Sequence, residues 1–106
     1  MNIEINGVNL KVSATVKAIV ENNLAKKLDQ LLIRFSEEFK IGFLHLEKDK
    51  YKCFKAKFDI ALPGQDGHLF AKSEHIELIS AIVDLREQLE KQIKKYKQNK
   101  VNYSLG

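Results

Sequence analysis

The sequence predicts an α+β fold, a two-layer sandwich with two helices on one face of a four-stranded sheet, in the order β-α-β-β-β-α. Short segments alternate apolar and polar residues with the period of a strand, and two long segments repeat apolar residues with the period of a helix. The last three strands are close enough in sequence to form an antiparallel meander. Two amphipathic helices can cover only one face of such a sheet.

The first strand and helix are marked by a change of period. Ile3 and Ile5 alternate with polar neighbours, and this strand is expected to end at Gly7. Ser13 can cap a helix by accepting backbone N–H bonds, so we expect a helix over residues 14–35. Its apolar stripe comprises Val16, Val20, Leu24, Leu28, Leu31 and Phe35.

Three further strands are expected. Residues 41–46 are short and apolar enough for the second strand, and residues 47–50 make a polar turn. The third strand has the clearest alternation, because most even-numbered residues of 52–62 are apolar and most odd-numbered ones are polar. The apolar residues therefore share one face of the strand. Residues 63–67 have the Pro and Gly content of a turn, and residues 68–72 return as the fourth strand.

The last long helix is expected to follow Glu74 and to end at about Lys97. Its polar residues change sign, with five acids and one Arg over residues 74–90 but five Lys and no acid over residues 91–100. A rotation of about 100° per residue places Lys91 and Lys94 almost opposite the apolar stripe. That stripe comprises Leu78, Ile82, Leu85, Leu89, Ile93 and Tyr96.

Composition predicts a single cytoplasmic domain. The 106 residues are 44% hydrophobic, which is enough for one core, and Cys53 is the only cysteine, which excludes an intramolecular disulfide. The start of the chain lacks the pattern of a secretory signal, and no apolar run of about 18 residues occurs. We expect one domain over residues 1–97 and a short polar tail over residues 98–106, with no membrane contact.

Charge favours an anionic partner. The formal net charge is +4, although charged residues of both signs also describe an ordinary surface. Lys26 on the first helix lies away from the apolar stripe, as Lys91 does on the second, and lysines of both helices on one side would favour RNA. Two simpler explanations stay open. Terminal lysines offset the helix dipole, by about 0.3–1 kcal/mol, and Lys55 and Lys57 discourage pairing at a sheet edge.

We expect no active site, no metal site and no cofactor. His45, His68 and His75 lie in three different contexts without paired ligands. The glycines form no phosphate-binding motif, and Cys53 is interpreted as a structural strand residue rather than a nucleophile. The sequence also offers no site for a small-molecule substrate.

Three segments together resemble a known family. They are residues 3–13, which read IEINGVNLKVS, the hairpin Leu-Pro-Gly at 62–64, and residues 80–82 followed by LEKQIKKYK at 89–97. In these segments the chain resembles the ribosome hibernation-promoting factors, also called sigma-54 modulation proteins, a family that includes the ribosome-associated inhibitor. The resemblance covers nearly the whole chain. It implies a fold similar to double-stranded-RNA-binding domains, with both helices on one side of the sheet.

The resemblance also implies a function. Such a protein occupies the mRNA and tRNA channel of the small ribosomal subunit, against 16S rRNA, and silences idle ribosomes in stationary phase or stress. It acts by occlusion, without turnover. The lack of a second domain implies the short form, whose members either promote ribosome dimers with a separate ribosome modulation factor or oppose them; the short tail favours the first type. A monomer is favoured for the free protein.

By the same resemblance, the RNA-binding residues are basic positions on the two helices. Arg86 stands where the family is often apolar, so its role stays open. Asn23, Val83 and Gln88 replace residues that are commonly Lys, Asp and Lys, which makes the basic surface leaner. The matching lysines are Lys17, Lys26, Lys91, Lys94, Lys95 and Lys97.

An alternative interpretation is a protein-interaction module that binds a transcription (sigma) factor or polymerase subunit, or that self-associates. Ile76, Ile79 and Val83 lie to one side of the core-facing stripe of the last helix, so they could form an exposed apolar patch. Burial of all three residues in the monomer would remove the support for this alternative.

Overall fold

The fold is the predicted two-layer α+β sandwich. A computed structural model describes residues 1–64 and 67–105, with side chains up to Gln98. Its four-stranded sheet has the order β1-β2-β3-β4, with β1 parallel to β2 and the other pairs antiparallel. The strands are β1 (Asn2–Val8), β2 (Ile41–Lys48), β3 (Phe54–Ala61) and β4 (His68–His75).

The first helix comprises Ala14–Val20, a π-helical turn over Glu21–Ala25, and Lys26–Leu31. Ser13 caps it as predicted, because its hydroxyl accepts the N–H of Val16 at 3.3 Å. The buried residues of its stripe recur every four positions, which overshoots each 3.6-residue turn by about 40°. The wider π turn offsets this drift. The stripe comprises Val16, Val20, Leu24, Leu28 and Leu32.

The predicted end of the first helix, at residue 35, is wrong. The backbone leaves the helix at Leu32, with φ −110° and ψ 25°. Leu32 is fully buried, whereas Leu31 and Phe35, which the predicted stripe included, are half-buried. Leu32 continues the four-residue spacing of the buried stripe, which Leu31 does not.

The second helix, Leu78–Leu105, extends beyond the predicted end at Lys97. Gly106 lies outside the described residues, and the division into a domain and a tail at residue 97 stays a prediction. Neither helix, within the described residues, is apolar over enough of its length to cross a lipid bilayer. The buried stripe differs from the predicted one at two positions, because Leu78 is half-buried and Ala81 is fully buried. It comprises Ala81, Ile82, Leu85, Leu89, Ile93 and Tyr96.

Both stripes pack on the same face of the sheet, around Phe58. This side chain is fully buried, and its ring lies over Gly42 of β2, where an added Cβ would come within 2.3 Å of the ring. A larger residue at position 42 would displace the ring. The other buried side chains of this face are Leu44, Leu46, Ala56, Ile60, Leu69 and Ala71.

The two connections between antiparallel strands are turns. Asp49 organises the first, because its carboxylate accepts the N–H of Tyr51 and that of Cys53. Lys52, predicted to begin a strand, lies in this turn with φ 64°. The predicted turn at 63–67 is present, although its Gln65 and Asp66 lie outside the described residues. Tyr96 donates its hydroxyl hydrogen to the carbonyl oxygen of Pro63, which joins this turn to the second helix.

A cluster of charges joins the first helix to the starts of β1 and β2. The ammonium of Lys40, a residue only 5% exposed, lies 3.5 Å from Asp29 and 3.3 Å from Glu37. The amino group of Met1 lies 2.8 Å from the same Asp29 carboxylate. This hydrogen bond, helped by the charges of Asp29 and Glu37, raises the pKa of the amino group above its ordinary 8.0.

This cluster predicts a loss of stability at alkaline pH. A pKa raised by folding stabilises the folded protein fully below the unfolded value, near 8.0, and the stabilisation disappears as pH rises through the folded value. We expect the free energy of unfolding to fall as the pH rises above about 8 when the Met1 amino group is free. Urea denaturation of the same protein with this group acetylated is the control. Equal losses in both forms would contradict the prediction.

Candidate nucleic-acid interface

Two glutamines attach the second helix to the edge of the sheet. The side-chain amide of Gln92 donates to the carbonyl of Phe70 at 2.7 Å and accepts the N–H of Phe70 at 3.2 Å. Gln88, one turn earlier, pairs in the same way with Lys72, at 2.8 and 3.4 Å. These amides occupy the free edge of β4 as a neighbouring strand would.

This pairing fixes the rotation of the second helix. One side of the helix is turned towards β4, and the buried stripe from Ile82 to Tyr96 faces the sheet. The remaining sides face the first helix and solvent, and they carry most of the basic residues. Gln88 therefore has a structural function, whereas the sequence suggested only that it replaces a commonly occurring lysine.

The lysines predicted to bind RNA on the two helices are all exposed. No ion pair within 4 Å joins any of them to an acid in the part of the chain whose side chains are described. An unpaired ammonium is available to a phosphate without first breaking an internal contact. These residues are Lys17, Lys26, Lys91, Lys94, Lys95 and Lys97.

The lysines of the second helix are distributed around its solvent-facing side. Lys95 lies two turns beyond Gln88 and so shares its side of the helix, towards β4. Lys97 lies on the opposite side of the helix, and Lys94, like Lys91, lies almost opposite the buried stripe. The rings of Phe35 and Tyr96 are 6.1 Å apart, which places the segment that follows the first helix beside this part of the second. Lys26 is exposed on the first helix, which packs against the second.

Two of the predicted residues stand apart from this group. Lys17 lies on the β1 side of the first helix, in a shallow groove that Ile3 and Val12 also line. Arg86 is half-buried, and its Nε lies 3.4 Å from Glu90 Oε1. The buried Nε of Arg86 has no hydrogen-bond partner among the described residues, but the nearby carboxylate offsets part of its charge. Lys17 and Arg86 therefore differ from the exposed lysines of the second helix.

Chemical groups suited to catalysis or metal binding are dispersed. Each histidine has a different partner, with His45 next to Asn6, His68 next to Asp59 and His75 next to Asp84. Among the described residues, one group has potential ligand atoms within 4.8 Å of one another, namely Asp49, Cys53 and Glu74. Its Asp49 carboxylate already accepts two backbone N–H bonds in the turn, which gives the group a structural explanation.

The apolar patch at the start of the second helix is exposed. Ile76 is 77% exposed and Ile79 51%, while Val83 is half-buried. The support for a protein-interaction function therefore remains. The patch lies at the opposite end of the helix from Lys91, Lys94 and Lys97.

The outer face of the sheet carries residues that sequence reasoning missed. β3 is a central strand, so the interpretation of Lys55 and Lys57 as protection of a sheet edge is wrong. Phe43 and Phe70 are also on this face, 53% and 45% exposed. The alternation of β2, with Leu44 and Leu46 buried, was the available signal for the exposure of Phe43.

One family model and two solved structures match the chain over most of its length. A family model described as sigma 54 modulation protein / S30EA ribosomal protein matches residues 3–101. The chain is similar to the crystal structure of the Thermus thermophilus Protein Y N-terminal domain, with 28% identity, a TM-score of 0.71, and coverage of 91% of this chain and 99% of that one. A ribosomal subunit interface protein from Coxiella burnetii has the same fold, at 20% identity and a TM-score of 0.68, with 92% and 99% covered.

The glutamine pairing predicts a stability effect separate from any binding. Replacing both Gln88 and Gln92 with Ala leaves peptide groups of β4 without these partners, and we expect the free energy of unfolding to fall by about 1–3 kcal/mol. Glu87→Ala on the exposed side of the same helix is the matched control, with an expected change within about 0.5 kcal/mol. Urea denaturation measures both, and an equal effect of the two substitutions would exclude the proposed attachment.

Proposed function

Because the chain belongs to the sigma 54 modulation protein / S30EA ribosomal protein family, we propose that it is a ribosome-binding inhibitor of translation. It binds 16S rRNA of the small subunit, occupies the mRNA and tRNA channel, and promotes hibernation in stationary phase or stress. Inhibition follows from occlusion, so no catalytic step is required. The protein acts in the cytoplasm, alone or with a separate ribosome modulation factor.

The observation that carries this proposal is the unpaired basic end of the helical face. Lys91, Lys94 and Lys97 are exposed on a helix whose rotation the β4 pairing fixes, and Lys26 is exposed on the first helix, which packs against it. Rigid helices hold these ammonium groups at set positions, which suits the fixed phosphates of a folded RNA. Lys95 adds a contact on the β4 side. Lys17 and Arg86 are proposed to contribute less, because one lies apart and the other is paired.

The similarity to other proteins supports the choice of partner. One structural relative is a Protein Y domain that is 28% identical, and another with the same fold is a ribosomal subunit interface protein. Both helices lie on one side of the sheet, and their outer sides are exposed. They can therefore contact an extended surface of a large partner such as a ribosomal subunit.

Reversing the charge of the second helix tests the proposal. The triple variant with Lys91→Glu, Lys94→Glu and Lys95→Glu is expected to bind small ribosomal subunits at least about 10-fold more weakly at moderate salt. The slope of log affinity against log salt should fall by about 2–3, because each lost phosphate contact removes about one unit. Sedimentation of subunits with the protein at several salt concentrations measures both quantities.

A charge-matched control separates position from net charge. Lys11, Lys50 and Lys52 are exposed and lie outside both helices, so replacing all three with Glu changes the net charge equally. We expect this control to retain most of the affinity and the salt slope. Equal weakening by both triple variants, or wild-type protein that stays free of the subunits at low salt, would refute the proposal.

A second candidate function is a protein interaction through the apolar patch. The exposure of Ile76 and Ile79, at 77% and 51%, favours it. If the patch binds a sigma factor or a second copy, the double variant with Ile76→Ser and Ile79→Ser should lose that complex in size-exclusion chromatography and still sediment with ribosomal subunits. Unchanged elution of the wild type with a sigma factor, and at rising protein concentration, would exclude this function.

A further inference from the structure

The outer face of the sheet has a row of basic side chains that ends beside two aromatic rings. Lys57 of β3 lies between His45 of β2 and Lys72 of β4, in direct cross-strand register with both. The neighbouring row places Asp59 of β3 between Phe43 and Phe70. The helices cover the opposite face of the sheet, so this face is open to solvent.

The basic row is unfavourable in the isolated protein. Like charges directly opposite each other on neighbouring strands repel, and Lys57 and Lys72 form such a pair. Neither ammonium has an acidic partner within 4 Å among the residues with described side chains. Lys55, two residues earlier, is different, because its cross-strand neighbours are Glu47 and Glu74. An anion bound between Lys57 and Lys72 would remove their repulsion.

The aromatic row presents flat apolar surfaces at a defined spacing. Phe43 and Phe70 are 53% and 45% exposed, and one strand separates them, so their backbones are about 9–10 Å apart. This distance is suited to two bases of an extended strand, one on each ring. Exposed rings on an open four-stranded sheet are the usual means of stacking unpaired bases.

Hydrogen-bonding groups complete the surface. A shallow groove on this face is lined by Glu4, Asn6 and Asp59 together with Phe43 and Phe70. The carboxylate of Glu4 is an acceptor for the amino groups of bases, whereas that of Asp59 already contacts His68. The amide of Asn6, hydrogen-bonded to His45 at 3.1 Å, offers both a donor and an acceptor. Phosphates, rings and base edges would therefore each find a complementary group.

We propose that the outer face of the sheet binds unpaired RNA, with two successive bases on Phe43 and Phe70 and a phosphate between Lys57 and Lys72. This site lies on the opposite side of the molecule from the helix lysines and does not depend on them. A protein partner fits the face less well, because lysines are depleted at the centres of protein interfaces. With both sites occupied, the protein would be held between two RNA segments.

The test uses the isolated full chain and a fluorescein-labelled single-stranded RNA of about eight nucleotides of mixed sequence. Affinity is measured by fluorescence anisotropy at low salt. We expect Phe43→Ala and Phe70→Ala each to weaken binding about 10-fold, and the two together about 100-fold. Both side chains are half exposed, so the fold should persist; circular dichroism and thermal unfolding verify this. Binding of duplex RNA, whose bases cannot stack on the rings, should not change.

Two further comparisons locate the site. Lys57→Ala with Lys72→Ala should weaken binding and reduce its salt dependence, whereas Lys55→Ala, on the same face but between two acids, should leave both unchanged. The Phe substitutions are repeated in protein that already carries Lys91→Glu, Lys94→Glu and Lys95→Glu. The same relative loss there shows that the sheet binds RNA whether or not the helices bind the ribosome.

Backbone amide NMR spectra with the RNA provide an independent readout. We expect shifts of the amides of β2, β3 and β4 that disappear in the double Phe variant. Unchanged affinity of the double Phe variant, or shifts confined to the two helices, would overturn the proposal. So would a concentration-dependent dimer of the wild type that the Phe substitutions abolish and RNA does not displace, because the face would then be an interface between two copies.

Discussion

The structure depends on the packing of both helices on a single face of the sheet. Phe58 lies at the centre of this layer, over a glycine that leaves room for its ring, and the apolar stripes of both helices close around it. Because a four-stranded sheet has two faces, the same packing leaves the other face open. The protein therefore has two extended surfaces that face away from each other, one formed by helices and one by strands.

The basic residues divide into those that lie close to carboxylates within the fold and those that remain available to bind an anionic partner. Lys40 and Arg86 are partly or fully buried and lie close to carboxylates, so their charges are already balanced within the protein. The lysines at the end of the second helix have no such partner among the described side chains, and neither have Lys57 and Lys72 on the sheet. Both surfaces of this protein, whose formal net charge is +4, therefore carry free positive charge.

Much of this architecture could be predicted from residue periodicity. Alternation identified the buried side of β3, and the helical stripes identified most of the core, since burial follows directly from spacing. The ends of the helices were predicted less well, because the departure at Leu32 depends on tertiary packing. The attachment through Gln88 and Gln92 was not predictable, since it joins side chains to a strand edge 16 and 22 residues away. The predicted meander already placed β3 between two strands, but the register that sets Lys57 opposite Lys72 could not be read from the sequence.

The central claim, that the helix lysines bind rRNA of the small subunit, is tested most directly by electron cryomicroscopy of the protein bound to that subunit. If these lysines bind rRNA, density for the domain should lie in the mRNA and tRNA channel, with both helices against rRNA and the ammonium groups of Lys91 and Lys94 within hydrogen-bond distance of phosphates. Density outside the channel would contradict this binding mode. A domain whose helices point away from RNA would contradict it as well.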